Sequence, residues 1–335
     1  MRIVSIVGAG DDAALLDAHL AFHLNAGVDL VLAIDGGDDA TGEILAAYER
    51  DGVVRRMSTG AHGSSDVRSE LARRAVAEHD AEWVLSSDAD EFWWPRGESL
   101  KDVLAAIPAR YGVVQALVRV FPPRPGDGAF EERMTVRPTL LEQPSAPESL
   151  TSTLRPVYRA GPALVIDPGD PTEGGRRVPL RAWYPIEVLR FPFRSPEQAE
   201  RFCARGERPR SELEAAALEA HREGHLAEWY AEQSAASGSL VSDVRLRDAL
   251  RTLRRPDGTS STSVYALPAE DDAGLVLRPP TIVDDAAYAG ECAAVGEVDL
   301  VALDRHIRDL EARIGQLEAR FWPRVLRKLT RLTRR

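Results

Sequence analysis

Cysteine is almost absent: Cys203 and Cys292 are the only two in 335 residues, and they do not have the paired spacing of a metal-ligand set. Neither a disulfide framework nor a Cys-based zinc site is indicated, and a reducing compartment fits. No uninterrupted run of about 18 apolar residues occurs, so no segment reads as a membrane-spanning helix. The opening "MRIVSIVGAG" has one basic residue and a short apolar run leading into glycines, the pattern of a first β-strand more than of a signal peptide. A basic excess is missing as well. The formal net charge is -11, whereas a general nucleic-acid binder needs a basic face for phosphates, so no nucleic-acid partner is expected. The i, i+4 histidine pairs His19/His23 and His221/His225 lack the His-Glu-x-x-His arrangement of a zinc protease. What remains is 44% hydrophobic and 28% charged, ordinary for a soluble globular chain. The length suits one large α/β domain with additions, or two domains.

The first 120 residues alternate in the manner of a doubly wound sheet. "RIVSIVG", "VDLVLAID", "VVRRM" and "EWVLSSD" read as strands. Between them, "DDAALLDAHLAFHLNAG", "TGEILAAYERDG" and "SSDVRSELARRAVAEHD" read as helices with Asp or Ser at their starts, the first two closed by Gly27 and Gly52. This βαβαβαβ order predicts parallel strands with right-handed crossovers and a ligand site at their carboxyl ends. Asp35 and the cluster of Asp88, Asp90 and Glu91 fall on that edge.

Two segments there carry chemistry. "GAGDDA", residues 8 to 13, matches the Gly-x-Gly-x-x-Gly/Ala dinucleotide fingerprint, with Asp35 at the end of the second strand, roughly 20 residues on. An NAD-dependent oxidoreductase is therefore one reading. Against it, Asp11 and Asp12 would put negative charge where a helix N-terminus should attract pyrophosphate, and the competing account is a strand-to-helix turn with an Asp N-cap. "VLSSDADEFWWP", residues 84 to 95, runs an apolar strand into three mutually repelling carboxylates and then three aromatics. Such a cluster calls for a cation. Asp88 and Asp90 are candidate ligands for Mg²⁺ or Mn²⁺, hard ions that join carboxylates to a substrate's phosphates; the alternative is a turn cap. Trp93 and Trp94 have two readings, as walls of a sugar pocket or as core.

These motifs, in this order, resemble the family 2-like glycosyltransferases of GT-A fold, in the branch whose metal motif reads Asp-x-Asp-Glu-Phe. The resemblance covers roughly residues 3 to 205 and rests on "LLDAHLAFHLNAGVDLVLAID", "DGGDDAT", "AEWVLSSDADEFWWP" and "RFPFRSPEQAERF". It implies a GT-A-like, Rossmann-type mixed sheet flanked by helices, and a nucleotide-diphosphate sugar as donor with a hydroxyl acceptor, a glycan or a lipid-linked molecule of cell-envelope or polysaccharide assembly. By the same resemblance Asp35 would contact the nucleobase or ribose and Asp12 would replace an acid after the first strand. Asp88 and Asp90 would hold Mn²⁺ or Mg²⁺ with the donor's ribose and diphosphate, and Glu91 would orient the pair or touch the sugar. The sequence departs from the family in its second half. "VIDPGDPTE" has Gly169, Asp170 and Pro171 where Gly-Asn-His is usual, and Arg190 stands where a His precedes Phe-Pro. A non-catalytic glycosyltransferase-like partner protein is thus a further reading. A nucleotidyltransferase would need a basic triphosphate loop that is not found.

An inverting transfer needs a carboxylate to take the acceptor's proton. Asp167, Asp170 and Glu173 are candidates, with Asp170 preferred; each also suits a surface loop. Arg194 and Ser195 are suited to reach phosphate, or to begin a capped helix. The expected organisation is a domain over 1–205, with a nucleotide-sugar half to about 120 and an acceptor half over 121–205. A mixed, mainly helical region over 206–300 and a helical extension over 301–335 follow. In the extension, Leu303, Leu310 and Leu317 recur at sevens with Ile307, Ile314 and Phe321 between them, a short heptad pattern suited to a homo-oligomer. Then "PRVLRKLTRLTRR" is a basic amphipathic stretch of the kind that lies on anionic membranes. The expectation is a cytoplasmic protein held peripherally on the inner face of the membrane. A chain lacking residues 323–335 should lose its pelleting with anionic liposomes; equal pelleting with and without them would remove the membrane reading.

Overall fold

The computed structural model describes residues 1–10, 12–35, 39–58, 65–96, 98–109, 111–124, 126–138, 154–161, 164, 166, 185–204, 209, 212–235 and 240–253. Asp167, Asp170, Glu173, Cys292, the heptad segment and the basic tail lie outside them. Cys203 is a free thiol.

Four parallel strands open the fold: β1 (Ile3–Gly8), β2 (Leu30–Asp35), β3 (Val54–Ser58) and β4 (Trp83–Asp88), linked by α1 (Ala13–Asn25), α2 (Asp39–Arg50) and α3 (Ser65–His79). These are the elements the alternation predicts. The strands are apolar almost throughout because both faces are covered. In β1, Ile3 and Val7 enter one core while Val4 and Ile6 enter the other; β2 divides Val31 and Ala33 from Leu30, Leu32 and Ile34 in the same way. Helix α1 is buried on nearly every side, from Leu15 to His23. Gly27 at φ 111° and Gly52 at φ 80° let the chain leave α1 and α2 through a left-handed turn that other residues resist.

The second half converts a parallel sheet into a mixed one. It contributes β5 (Glu91–Pro95), α4 (Leu100–Ala105), β6 (Val113–Val120), α5 (Phe130–Arg133), β7 (Val136–Pro138), β8 (Leu154–Arg159) and β9 (Ile186–Arg190). It ends in α6 (Pro196–Ala204), α7 (Glu212–Arg222), α8 (Leu226–Ala235), β10 (Leu240–Ser242) and α9 (Arg245–Leu253). The eight-stranded order is β3-β2-β1-β4-β8-β6-β9-β5, with β8 and β5 antiparallel to their neighbours, while β7 and β10 form a separate pair. The expected α/β, Rossmann-type mixed sheet flanked by helices is therefore present.

Two expectations change in detail. The aromatics after the carboxylates form edge strand β5, with Trp93 at 0% and Trp94 at 3% exposure. Both belong to the core, packed with Phe22 and Phe92, and neither lines the cavity described below. The pocket-wall reading of these tryptophans is thereby corrected: β5 pairs with β9 and is covered on both faces. The core also continues past residue 205, because Leu246, Ala249, Leu250 and Leu253 of α9 join the cluster built on β1 and α1. Helices α6 to α8 carry a smaller cluster of their own around Phe193, Trp229 and Tyr230.

Buried charge ties α9 to the sheet. Glu187 of β9 accepts from Arg119 of β6 at 2.7 Å and from Arg245 of α9 at 2.5 Å, while Asp243 accepts from Arg245 at 2.7 Å and Arg137 of β7 at 2.8 Å. Burial pushes the Glu187 carboxyl up, but Arg245 and Arg119 outweigh it and hold it well below its ordinary range. Removing one member takes a counter-charge away from buried partners, which is what makes such networks costly to break. Glu187→Gln should lower the unfolding free energy by about 3–5 kcal/mol in urea titrations; a loss under about 1 kcal/mol would show that the pairs are dispensable.

Candidate functional site

The carboxyl ends of the parallel strands meet in register. Gly8 pairs with Asp88 on one side and Ile34 on the other, with Asp35 the next residue of β2. Beyond Asp88 the chain turns through Ala89 and Asp90 into β5, and the turn is clamped from within. The Ser87 hydroxyl donates to the carbonyls of Asp88 and Glu91 at 2.9 and 3.3 Å, and the Asp88 amide donates to Glu91 Oε2 at 3.2 Å.

The protein's own arginines stand beside all three carboxylates. Arg68, inside α3, donates to Asp88 Oδ1 at 2.5 Å and to Ser86 Oγ at 2.8 Å. Arg155 of β8 donates to Glu91 Oε1 at 2.9 Å. Arg190, the last residue of β9, has its Nε 3.7 Å from Asp90 Oδ2 and 4.0 Å from Glu91 Oε1, and it also donates to Glu214 of α7. Burial weakens the hold of Arg190 on its proton, but Asp90, Glu214 and Glu91 more than restore it, so it stays charged. Glu91, at 1% exposure, is committed to the Asp88 amide and Arg155 and is not on the cavity wall. It orients the turn and does not reach into the cavity.

That cavity, of about 230 Å³, opens at the carboxyl edge. Its lining includes Gly8, Gly10, Asp12, Asp88 and Asp90 together with Arg190, Arg194, Gln198, Arg201 and Phe202. Asp12 is the N-cap of α1, accepting from the Leu15 amide at 3.0 Å, and its second oxygen accepts from Gln198 Nε2 at 2.6 Å and Arg194 Nε at 3.3 Å. The helix N-terminus that a dinucleotide's pyrophosphate would need is thus capped by a carboxylate, which argues for the N-cap account of "GAGDDA". Phe193 sits at φ 49°, a strained conformation for a bulky residue, costing on the order of 1–3 kcal/mol. Packing of its ring on Phe202 and Trp229 offsets that cost and holds Arg194 turned back toward Asp12.

Of the residues singled out in the sequence, Asp12, Asp88, Asp90 and Arg194 share this cavity, Glu91 lies behind it, and Asp35 ends the strand beside Gly8. Asp170 lies outside the described residues. Sequence reasoning missed Arg68, Arg155 and Arg201. The carboxylate cluster signals that a counter-charge is needed, but which arginine supplies it depends on how α3 and α6 are rotated and which strand lies beside β4.

No family model matches the chain, and no curated protein matches it. Among solved structures it is similar to TarS of S. aureus, with TM-score 0.34 and 18% identity over 71% of this chain and 44% of that one. The chain thus spans less than half of TarS. It is also similar to a 4-diphosphocytidyl-2C-methyl-D-erythritol synthase, with TM-score 0.29 and 14% identity over 50% of this chain and 81% of that one.

Beneath the carboxylate turn lies a buried pair of histidines, their rings 4.0 Å apart. His23 Nε2 accepts from the Trp93 amide at 3.1 Å and its Nδ1 donates to the His19 carbonyl at 2.8 Å. His19 sits by the backbone of Ala89 and Glu91. Burial lowers the His23 pKa to about 4, and burial together with His23 lowers that of His19 well below its usual value. The unfolded chain therefore takes up protons below about pH 6.5 that the folded one refuses down to about pH 4, so stability falls as pH drops through this window. His23 alone should cost about 2 kcal/mol between pH 7 and pH 5. Urea midpoints at the two pH values should show the drop, and it should shrink in His23→Gln; an equal drop in that variant would move the effect elsewhere.

Proposed function

We propose that the chain is a glycosyltransferase that moves a sugar from a nucleotide-diphosphate sugar to a hydroxyl acceptor, with the diphosphate seated in the cavity at the carboxyl edge. The observation carrying this reading is one cavity lined by both Asp88 and Asp90 and the guanidiniums of Arg190 and Arg194. A metal diphosphate carries both signs as well, cationic at the ion and anionic at the outer phosphate oxygens.

The donor set fits an ion shared with the substrate. Mg²⁺ and Mn²⁺ commonly take one or two protein carboxylates and complete their shells with phosphate oxygens and water. Among the described residues no group of three or more ligating side chains occurs, so the ion would arrive with the diphosphate. Asp88 and Asp90 would hold it, and the chemistry it supplies when bound is neutralisation of the departing diphosphate. The formal charges of Asp12, Asp88, Asp90, Glu91 and Glu214 are balanced by Arg68, Arg155, Arg190, Arg194 and Arg201. A balanced site is suited to a ligand that brings its own counter-ion. Glu91 and Arg155 keep the turn in place while the donor binds, and the Asp12–Gln198–Arg194 contacts close the cavity's flank. In this reading the transfer is inverting, with Asp170 as the base that takes the acceptor's proton, and the acceptor is a glycan or lipid-linked molecule reached from an anionic membrane through residues 323–335. No helix among the described residues is long and apolar enough to cross a membrane.

Calorimetry with UDP, GDP, TDP and NAD, each with and without Mn²⁺, tests the reading on the wild type and Asp90→Ala. One nucleoside diphosphate should bind with Mn²⁺ and lose at least about tenfold in affinity in the variant. Metal-independent binding of NAD, unchanged by the substitution, would overturn it in favour of the dinucleotide reading.

A further inference from the structure

Arg190 has an unmet bond. It closes β9 at the carboxyl edge, opposite Glu91 in the antiparallel β5–β9 register, and is 6% exposed on the cavity wall. One terminal nitrogen donates to Glu214, but Nε has no hydrogen-bond acceptor. Asp90 and Glu91 approach that nitrogen only to 3.7 and 4.0 Å, near enough to feel its charge and too far to accept its proton. A buried polar group left unpaired is costly, and an arginine so placed on a cavity wall calls for a further acceptor. Arg194 is differently placed: its Nη1 already donates to the Phe191 carbonyl at 2.7 Å and its Nε to Asp12 at 3.3 Å.

Strand order says which part of a ligand Arg190 meets. Along the carboxyl edge the sequence of strands is β2, β1, β4, β8, β6, β9, so Asp35 lies toward one end and Arg190 toward the other, with Gly8 and Asp88 between. A nucleotide whose ribose lies by Asp35 and whose first phosphate passes Gly8 brings its distal phosphate toward Arg190. Resting on the donor-site reading above, we propose that Arg190 binds the distal phosphate of the nucleoside diphosphate. The guanidinium suits this task because its planar fork can keep Glu214 and take two phosphate oxygens at once, which a lysine ammonium does less well.

The test compares wild type, Arg190→Lys and Arg190→Gln for binding of UDP, GDP and TDP and of the matching monophosphates, all with Mn²⁺, with circular dichroism to establish folding. Arg190→Lys keeps the charge that Asp90 and Glu214 need, so it stays informative where Arg190→Gln does not fold. The expected result is a diphosphate affinity weakened about tenfold in Arg190→Lys, with monophosphate affinity changed less than about twofold. Undiminished diphosphate binding by folded Arg190→Lys would overturn the assignment, and equal losses for mono- and diphosphate would reduce Arg190 to a structural ion-pair partner. In both cases the glycosyltransferase reading survives if Asp90→Ala still loses the diphosphate. Failure of the wild type to bind any nucleotide would remove the site reading and this assignment together.

Discussion

Carboxylates placed at consecutive turns of a strand end repel one another, and burial makes each of them more expensive unless a positive charge comes with it. Asp88, Asp90 and Glu91 meet that condition with guanidiniums drawn from three separate elements, α3, β8 and β9. The geometry of the whole carboxyl edge follows. α3 must present Arg68 to the end of β4, β8 must insert beside β4 so that Arg155 reaches Glu91, and β9 must pair with β5 so that Arg190 stands across from Glu91. A hydrophobic substitute would satisfy the packing, but it would leave the cavity without its charged lining.

The two halves of the chain meet at the cavity through polar contacts. Asp12, on the first strand-to-helix turn, holds Gln198 and Arg194 from almost two hundred residues away. Behind that contact, the left-handed Phe193 stores strain that aromatic packing in the α6–α8 cluster offsets. The cavity is therefore lined both by strand ends and by a small helical layer with its own core. A second buried ion network, centred on Glu187, ties α9 back to the sheet three residues along β9 from Arg190. One strand thus carries both the charge that organises the site and the charge that anchors α9.

Local chemistry in the sequence determined the first four strands and three helices. Continuous apolar runs need cover on both faces, period-3.6 patterns need a helix, and Gly27 and Gly52 end helices because they tolerate the left-handed turn. It also determined that Asp88, Asp90 and Asp12 gather at one edge, because parallel strands with right-handed crossovers bring their carboxyl ends together. Only the tertiary structure decided that β8 enters antiparallel between β4 and β6, that the aromatic run after Glu91 is an edge strand of the core, and that the counter-charges are Arg68, Arg155 and Arg190. The physical reason is range: capping, periodicity and turn preference act within a few residues, whereas strand pairing, helix rotation and ion pairing are settled between residues far apart in the chain, where many arginines compete for the same carboxylate.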